Sequence, residues 1–233
     1  MFHNFIHEVK NAILPLKQLN MSFTHSSSDT RTPLKSNYWL WMCIISFLIL
    51  WVVTYLNTND LNNWFIENAL TVITLFFLVK TYRSYPFSDV SYVLMTLFLC
   101  LHVYGSQYTY AENPLGYKLQ DLFNWKRNHY DRIVHFSFGF LLAYPVRELF
   151  CRAISFPKSV SWILPIELTL SVSALYELIE WAVADIFFKA QGAAYLGTQG
   201  DYWDAQKDIF LAFLGAAIGS SFISVINRYF KII

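Results

Sequence analysis

Acidic and histidine side chains occur in three short segments of this chain, at spacings that suit shared chemistry. Asp131 and His135 are four residues apart, and Glu177 and Glu180 are three apart, so each pair occupies one face of a helix. Asp208 lies in the third segment. Carboxylates and imidazoles are the groups that transfer protons, activate water or ligate divalent cations. These five residues are therefore the candidates both for catalysis and for binding a metal ion.

The composition indicates that these side chains belong to a membrane protein. Hydrophobic residues make up 55% of the 233 positions. Charged residues make up 14%, whereas a soluble domain carries about 25%. The chain also has 8 Trp and 15 Tyr, which favour the membrane–water interface. The net charge of the chain, +1, gives no indication of nucleic-acid binding. The three cysteines, Cys43, Cys100 and Cys151, are not spaced as metal ligands are.

Six apolar stretches are long enough to cross a membrane, which takes about 20 helical residues. They cover residues 38–56, 63–79, 88–108, 130–150, 160–182 and 207–226. The fourth is the weakest, because Arg147 and Glu148 close it early. The predicted fold is an all-α polytopic membrane helical bundle, in which residues 38–233 form a six-helix transmembrane domain.

Residues 1–37 are predicted to form a separate amphipathic segment and linker. Apolar residues recur at helical spacing from Phe2 to Leu16, with Lys10 and Lys17 between them, as in a helix that lies on a membrane surface. A polar stretch follows, from Thr24 to Pro33. An anchoring role and a leader without a role are both compatible with this pattern.

Lys and Arg are distributed unequally between the two sides of the predicted bundle. Six crossings place both termini on one side. Of 17 Lys and Arg, six fall on the opposite side, which leaves 11 on the side of the termini. Those six are Lys118, Lys126, Arg127, Arg132, Lys189 and Lys207. Because cytoplasmic loops are enriched in positive charge, both termini are predicted to be cytoplasmic. In a bacterial host the location is the inner membrane.

The direction of each span brings the three acidic segments to one membrane boundary. The fourth and sixth spans begin on the side opposite the termini, and the fifth ends there. Asp131, His135, Glu177, Glu180 and Asp208 are therefore expected together at the extracytoplasmic boundary. Charges at the edge of the hydrocarbon are costly, so a cluster of them indicates a function or a strong partner.

Three kinds of partner would offset the repulsion between these carboxylates. A divalent metal ion is the first, and no other cofactor is indicated. Ion pairs with Arg132 and Lys207 are the second, and protonation is the third. Two neighbouring acids have simpler interpretations, since Asp204 is placed to cap the sixth helix and Asp201 lies in a glycine-flanked turn.

The same segments resemble those of known membrane-protein families. The runs Asn128–Phe136, Tyr176–Trp181 and Gly197–Asp208 resemble the YjdF-type family of bacterial inner-membrane proteins. The run Asp131–Phe136 is also similar to the Asp-Lys-x-x-His-Phe element of VanZ-like membrane proteins, some of which are linked to glycopeptide-antibiotic resistance. Glu180 stands where that second family has Gln. Both resemblances imply that the acidic segments form the site.

Three functions are compatible with such a site. An intramembrane enzyme would use a metal ion or a carboxylate base on a lipid or lipid-linked substrate. A proton- or cation-coupled transporter would relay charge through the carboxylates and His135. A non-enzymatic membrane module would use the polar side chains to lock the bundle or to bind a partner.

Overall fold

Helices make up all the regular structure in the part of the chain that the computed structural model describes, residues 34–154, 160–187 and 196–230. The α-helices there are α1 Tyr38–Asn57, α2 Leu61–Thr81, α3 Asp89–Ser106, α4 Pro114–Phe123, α5 Tyr130–Glu148, α6 Leu164–Phe187 and α7 Asp204–Phe230. A π-turn, Leu149–Ala153, continues α5, and short 3-10 turns cover Leu34–Ser36 and Val160–Trp162. Most of the predicted N-terminal segment, residues 1–33, lies outside the described residues.

The six predicted spans correspond to α1, α2, α3, α5, α6 and α7, which confirms the polytopic helical bundle. Five of these described helices are long and apolar enough to cross a membrane, and α6 is the exception. It has 24 residues, enough to cross, and it packs against α5 and α7. It also carries four acidic residues, Glu167, Glu177, Glu180 and Asp185. That α6 crosses the membrane therefore stays a prediction.

Polar residues determine where the first three long helices begin. Asn37, Asp60 and Ser88 each precede a helix, and each side chain accepts a hydrogen bond from the backbone N–H three residues further on. The first N–H groups of a helix have no partner within it, so such caps stabilise the start. The helices α1, α2 and α3 accordingly begin at residues 38, 61 and 89.

A short helix that the sequence analysis did not predict, α4, connects α3 to α5. Pro114 occupies its first turn, where a missing N–H costs nothing, and Asn113 caps it. Asn124 ends it in the left-handed conformation, with φ of 53°. The Asn128 Nδ2 group donates to the Asn113 carbonyl oxygen at 2.9 Å, which ties α4 to the start of α5. Its ten residues are too few to cross a membrane.

The helices α5 and α7 are in backbone contact. A Cβ atom at Gly139 would overlap the Ala212 carbonyl oxygen, and one at Gly215 would overlap the Phe136 carbonyl oxygen. Small residues allow helices in a membrane to approach this closely. The same helix α5 also packs against α3 and α6. It is thus the element that holds the acidic segments of α6 and α7 in place.

Arg147 and Glu148, which the sequence analysis places at the close of the fourth span, are each only 1% exposed. Glu148 accepts hydrogen bonds from the Ser88 N–H at 2.9 Å, from the Ser88 hydroxyl at 2.8 Å and from the Ser91 hydroxyl. Arg152 donates to it at 2.6 Å. The carboxylate therefore caps α3, and helical structure continues through the π-turn beyond it.

Candidate functional site

Asp131, His135 and Glu177 meet at the end of the bundle where α5 and α7 begin, called here the acidic end. His135 Nε2 lies 3.3 Å from Glu177 Oε1 and 3.6 Å from Asp131 Oδ1. The side chains of His135 and Glu177 are 10% and 11% exposed, and that of Asp131 is 27% exposed. One imidazole nitrogen is thus placed between two carboxylates from different helices, largely away from solvent.

A second layer of polar side chains lies behind this group. The Tyr176 hydroxyl donates to Glu67 Oε2 at 2.9 Å, which joins α6 to α2. His102 Nε2 lies 3.2 Å from the Glu67 carbonyl oxygen, and His102 Nδ1 lies 2.6 Å from the Tyr110 hydroxyl. Glu67 and His102 are both buried, so these contacts satisfy groups that would otherwise be costly within the bundle.

The partners of His102 determine its tautomer. A carbonyl oxygen can only accept, so Nε2 carries the hydrogen and donates to Glu67. Nδ1 then accepts from the Tyr110 hydroxyl. Burial raises the pKa of Tyr110 well above its usual value, and the nearby Glu67, Asp131 and Glu180 carboxylates raise it further. Tyr110 therefore stays a neutral donor.

A cavity of about 50 Å³ lies between these two layers. That volume holds a few water molecules, since one needs about 10–15 Å³. Its polar walls come from Asp131, His135, His102, Tyr110 and Tyr176 together with Ser173, and its apolar walls from Leu70, Phe98, Val134, Phe138 and Val172. The cavity thus combines apolar walls with titratable groups from α3, α5 and α6.

Two arginines form a separate ion-pair network between α5 and α7. Arg127 contacts Asp204 with two nitrogens, Nη1 to Oδ1 at 2.7 Å and Nη2 to Oδ2 at 3.1 Å. Arg132 Nη2 donates to Asp204 Oδ1 at 2.8 Å and to Asp201 Oδ2 at 2.6 Å. Bidentate contacts between charged groups are short and directional. The network therefore holds the start of α7 against the start of α5.

The loop before α7 makes further contacts, with the residue Asn128 that precedes α5 and with the first turn of α7. The Asn128 N–H donates to Gln199 Oε1 at 3.0 Å, and Gln199 Nε2 donates to the Asn128 carbonyl oxygen at 2.9 Å. Lys207 Nζ donates to Asp201 Oδ2 at 2.6 Å. Lys207 and Arg132 together hold the pKa of Asp201 well below its usual range. Asp201 thus pairs with three cations, Lys207, Arg132 and, at 3.7 Å, Arg127, in addition to shaping the turn.

Comparison with known proteins agrees with this architecture. The family model described as "Predicted membrane protein (DUF2238)" matches residues 39–229, which include every candidate side chain. The chain belongs to this DUF2238 family. It is also 36% identical over 175 residues to the inner membrane protein YjdF of Escherichia coli (strain K12), covering 74% of this chain and 82% of that protein. No solved structure matches it.

The match confirms the resemblance to YjdF-type proteins. Together with the spans, it makes this DUF2238 protein a multi-pass integral protein of the inner membrane. Which side of the membrane the termini occupy stays a prediction.

In this DUF2238 protein the five residues singled out from sequence lie near one another but have different partners. Glu180 has Glu67, Glu177 and Asp131 as charged neighbours. Asp208 is 2% exposed and lies on the arginine side, with its Oδ1 3.8 Å from Arg132 Nε. Their catalytic and metal-binding roles stay predictions.

The described part of this DUF2238 protein contains no ready arrangement of side chains that could bind a metal ion. Within residues 34–154, 160–187 and 196–230, no group of three His, Cys, Asp or Glu side chains is arranged to hold a metal ion. Arg127 and Arg132 instead offset the charge of Asp201 and Asp204.

Several residues of the site were not among those five. The sequence predicts a helix cap at Asp204, whereas the structure shows Asp204 as the shared partner of Arg127 and Arg132. Glu67 and Tyr176 join α2 to α6, although their positions are far apart in sequence. A signal existed for Glu67, because an acid inside an apolar span needs a partner. The sequence contains no comparable signal for which side chain that partner is.

Proposed function

We propose that this DUF2238 protein is an intramembrane enzyme that performs acid–base chemistry on a lipid headgroup or a lipid-linked substrate. One observation carries this assignment. His135 Nε2 lies between Glu177 Oε1 and Asp131 Oδ1, at 3.3 Å and 3.6 Å, and His135 lines a cavity. An imidazole held between two carboxylates can take up a proton from a substrate and return it.

The five residues take different roles in this chemistry. His135 accepts a proton from a hydroxyl group or a water molecule in the cavity. Glu177 and Asp131 orient its ring, and Glu180 extends the acidic cluster behind them. Asp208 keeps Arg132 on the α7 side, away from the imidazole. Proton transfer of this kind requires no metal ion.

The cavity also has an open position for a polar ligand. Ser173 lines it and is 2% exposed, and its hydroxyl has no hydrogen-bond partner within the described residues. A buried hydroxyl without a partner is uncommon, and a bound water molecule or ligand usually explains it. A substrate oxygen in the cavity would satisfy Ser173 and come within reach of His135.

Aromatic residues favour a substrate at headgroup depth. Tyr202 and Trp203, in the loop before α7, are 88% and 58% exposed. Such side chains prefer the membrane interface, where an apolar ring and a polar tip are both accommodated. The distribution of Lys and Arg assigns this boundary to the extracytoplasmic side, with both termini in the cytoplasm. A reporter fused to the C-terminus that is active only outside the cytoplasm would reverse this assignment.

Lipid analysis in cells tests the function. In an Escherichia coli strain that lacks its own YjdF, the wild-type chain and the His135→Gln variant are expressed at equal levels in the membrane. We expect the wild type to change the abundance of at least one lipid or lipid-linked species, measured by mass spectrometry, and His135→Gln to abolish the change. Asp121→Asn, an exposed carboxylate on α4, is the matched control that keeps it.

Identical lipid profiles for the wild type and His135→Gln would favour a second function, a non-enzymatic module. The observation behind it is the contact of Arg127 and Arg132 with Asp204, which locks α5 to α7. In that case variants of the site would lose stability and nothing else. Proton- or cation-coupled transport is the third candidate, and ion flux into sealed vesicles containing the wild-type chain tests it.

A further inference from the structure

Arg147 lies far from the candidate site, near the other end of α5. It follows Asp131 by 16 residues, which corresponds to about 24 Å along a helix. The hydrocarbon layer is about 30 Å thick, so Arg147 lies close to the opposite membrane boundary. Its side chain is nevertheless only 1% exposed. By volume it is the largest of the fully buried side chains in the described part of the chain.

Among the residues that the structure describes, the guanidinium group of Arg147 has a stacking partner but no hydrogen-bonding partner. Its Cζ atom lies 3.3 Å from the centre of the Trp162 ring, so the flat face of the group is stacked on the indole. Stacking covers one flat face of the guanidinium group, whereas its N–H groups lie along the edge and can still donate hydrogen bonds. Nε, Nη1 and Nη2 all lack an acceptor in the described residues. Five donor hydrogens in a rigid fork are therefore unused.

The adjacent carboxylate does not supply the missing anion. Glu148 accepts from the Ser88 N–H, the Ser88 and Ser91 hydroxyls and Arg152. Its oxygens are thus committed to the start of α3 and to another arginine. A buried cation with neither an anion nor an acceptor is strongly disfavoured, so Arg147 is expected to have a partner that is not a side chain of the described bundle.

The backbone around Arg147 departs from a regular helix. Pro145 lies inside α5 and removes one backbone donor, and a π-turn begins at Leu149. Turns of this kind inside helices occur frequently at functional sites, because they displace side chains from the regular spiral. The irregular backbone thus flanks Arg147, whose guanidinium group has no hydrogen-bonding partner among the described residues. This coincidence favours a binding site at Arg147.

We propose that Arg147 binds the phosphate group of an acidic phospholipid, which displaces the side chains that cover the guanidinium group, so that the phosphate oxygens accept hydrogen bonds from its edge. The planar fork of Arg matches phosphate in two-point contacts, and Trp162 holds the fork ready. The depth of Arg147 corresponds to lipid headgroups, where phosphates are abundant, and basic positions between spans bind such headgroups. This site is independent of the acid–base chemistry at the acidic end.

Thermal unfolding of the purified full chain in a neutral detergent tests this site. Phosphatidylglycerol, phosphatidylcholine and inorganic phosphate are added separately. Phosphatidylglycerol at 100 times its dissociation constant is expected to raise the melting temperature by about 5 °C. Phosphatidylcholine is expected to raise it less. A rise with inorganic phosphate alone would support the phosphate site and identify free phosphate as its ligand.

Variants distinguish specific binding from a general effect of lipid. Arg147→Met is expected to lose the rise, while remaining at least as stable as the wild type without lipid, because an unpaired buried charge is removed. If Arg147→Met does not fold, Arg147→Lys keeps the charge without the fork and should show a smaller rise. Arg83→Gln, an exposed arginine after α2, is the control that keeps the full rise. The same rise in Arg147→Met, or none in the wild type, would overturn the site.

Discussion

Asp131 and Arg132 are consecutive in sequence, but their side chains lie in different environments and have different partners. Asp131 Oδ1 lies 3.6 Å from His135 Nε2 on the cavity side of α5, and Arg132 Nη2 lies 2.8 Å from Asp204 Oδ1 on the α7 side. Successive helical residues differ by about 100° in direction, so one turn of α5 serves both environments. This arrangement separates a titratable site beside the cavity from an ion-pair network that holds the bundle.

The ion-pair network is expected to contribute stability rather than chemistry. Asp204→Asn removes the carboxylate that the largely buried Arg127 and Arg132 share, which leaves Asp201 as their nearest acid, 3.7 Å from Arg127 and 2.6 Å from Arg132. Breaking a buried pair from one side costs on the order of 3 kcal/mol. We therefore expect a clearly lower melting temperature in detergent. Asp121→Asn, at an exposed position, should stay within about 0.5 kcal/mol of the wild type.

The contact between α5 and α7 predicts a strong effect of side-chain volume at Gly215. Gly215→Leu would force the two backbones apart, because the Phe136 carbonyl oxygen occupies the place of a Cβ atom. We expect loss of folded protein in the membrane, measured as monodisperse protein recovered in detergent. Ser221→Leu adds comparable volume on an exposed part of α7 and should be tolerated. Equal recovery of both variants would contradict the close packing.

The loop before α7 predicts a dependence of stability on pH. Lys207 and Arg132 hold the pKa of Asp201 below its unfolded value, so ionised Asp201 stabilises the folded state above about pH 4. That contribution is lost as the pH falls below about 4, because protonation then favours the unfolded chain. The difference in melting temperature between wild type and Asp201→Asn should therefore shrink on acidification. Lys207→Met, which removes a cation, should weaken this dependence.

Elemental analysis of the purified protein distinguishes a metal centre from a site that works by proton transfer. The described side chains form no metal-binding group of three. If the site works by proton transfer, as proposed, we expect less than one equivalent of any divalent metal, unchanged by Asp131→Asn. A stoichiometric metal that Asp131→Asn or His135→Gln removes would instead support the metal-dependent interpretation of the five residues.

The sequence is sufficient to predict the six long helices, though not the short helix α4, and the pairs of residues that share a helix face. Asp131 and His135 are four apart on α5, and this spacing predicts that both lie on one helix face, which the structure shows to be the face that lines the cavity. Hydrophobic length predicted the six long helices, and caps such as Asp60 moved their starts by only a few residues. Residue spacing, capping side chains and the length of the apolar stretches determine both features, and all three are present in a single sequence.

Contacts between helices could not be predicted in the same way. Tyr176 bonds Glu67 across 109 positions, and Arg127 bonds Asp204 across 77. Such pairs depend on how each helix is rotated about its axis and on how closely neighbouring helices approach. The rotation of α7 follows from its glycine contact with α5, which only three-dimensional packing reveals. For the same reason the sequence does not predict that Asp204 pairs with two arginines, or that Tyr176 is the partner of Glu67.

The most direct test of the proposed chemistry is lipid turnover by the purified protein. Proteoliposomes are prepared from a total lipid extract of Escherichia coli, and lipid species are followed over time by mass spectrometry. We expect the wild type to convert at least one species, and His135→Gln to lower the rate about 100-fold or more, as loss of a general acid–base group does. Asp121→Asn should retain the wild-type rate. Conversion by His135→Gln at the wild-type rate, or no conversion by any form, would contradict the assignment.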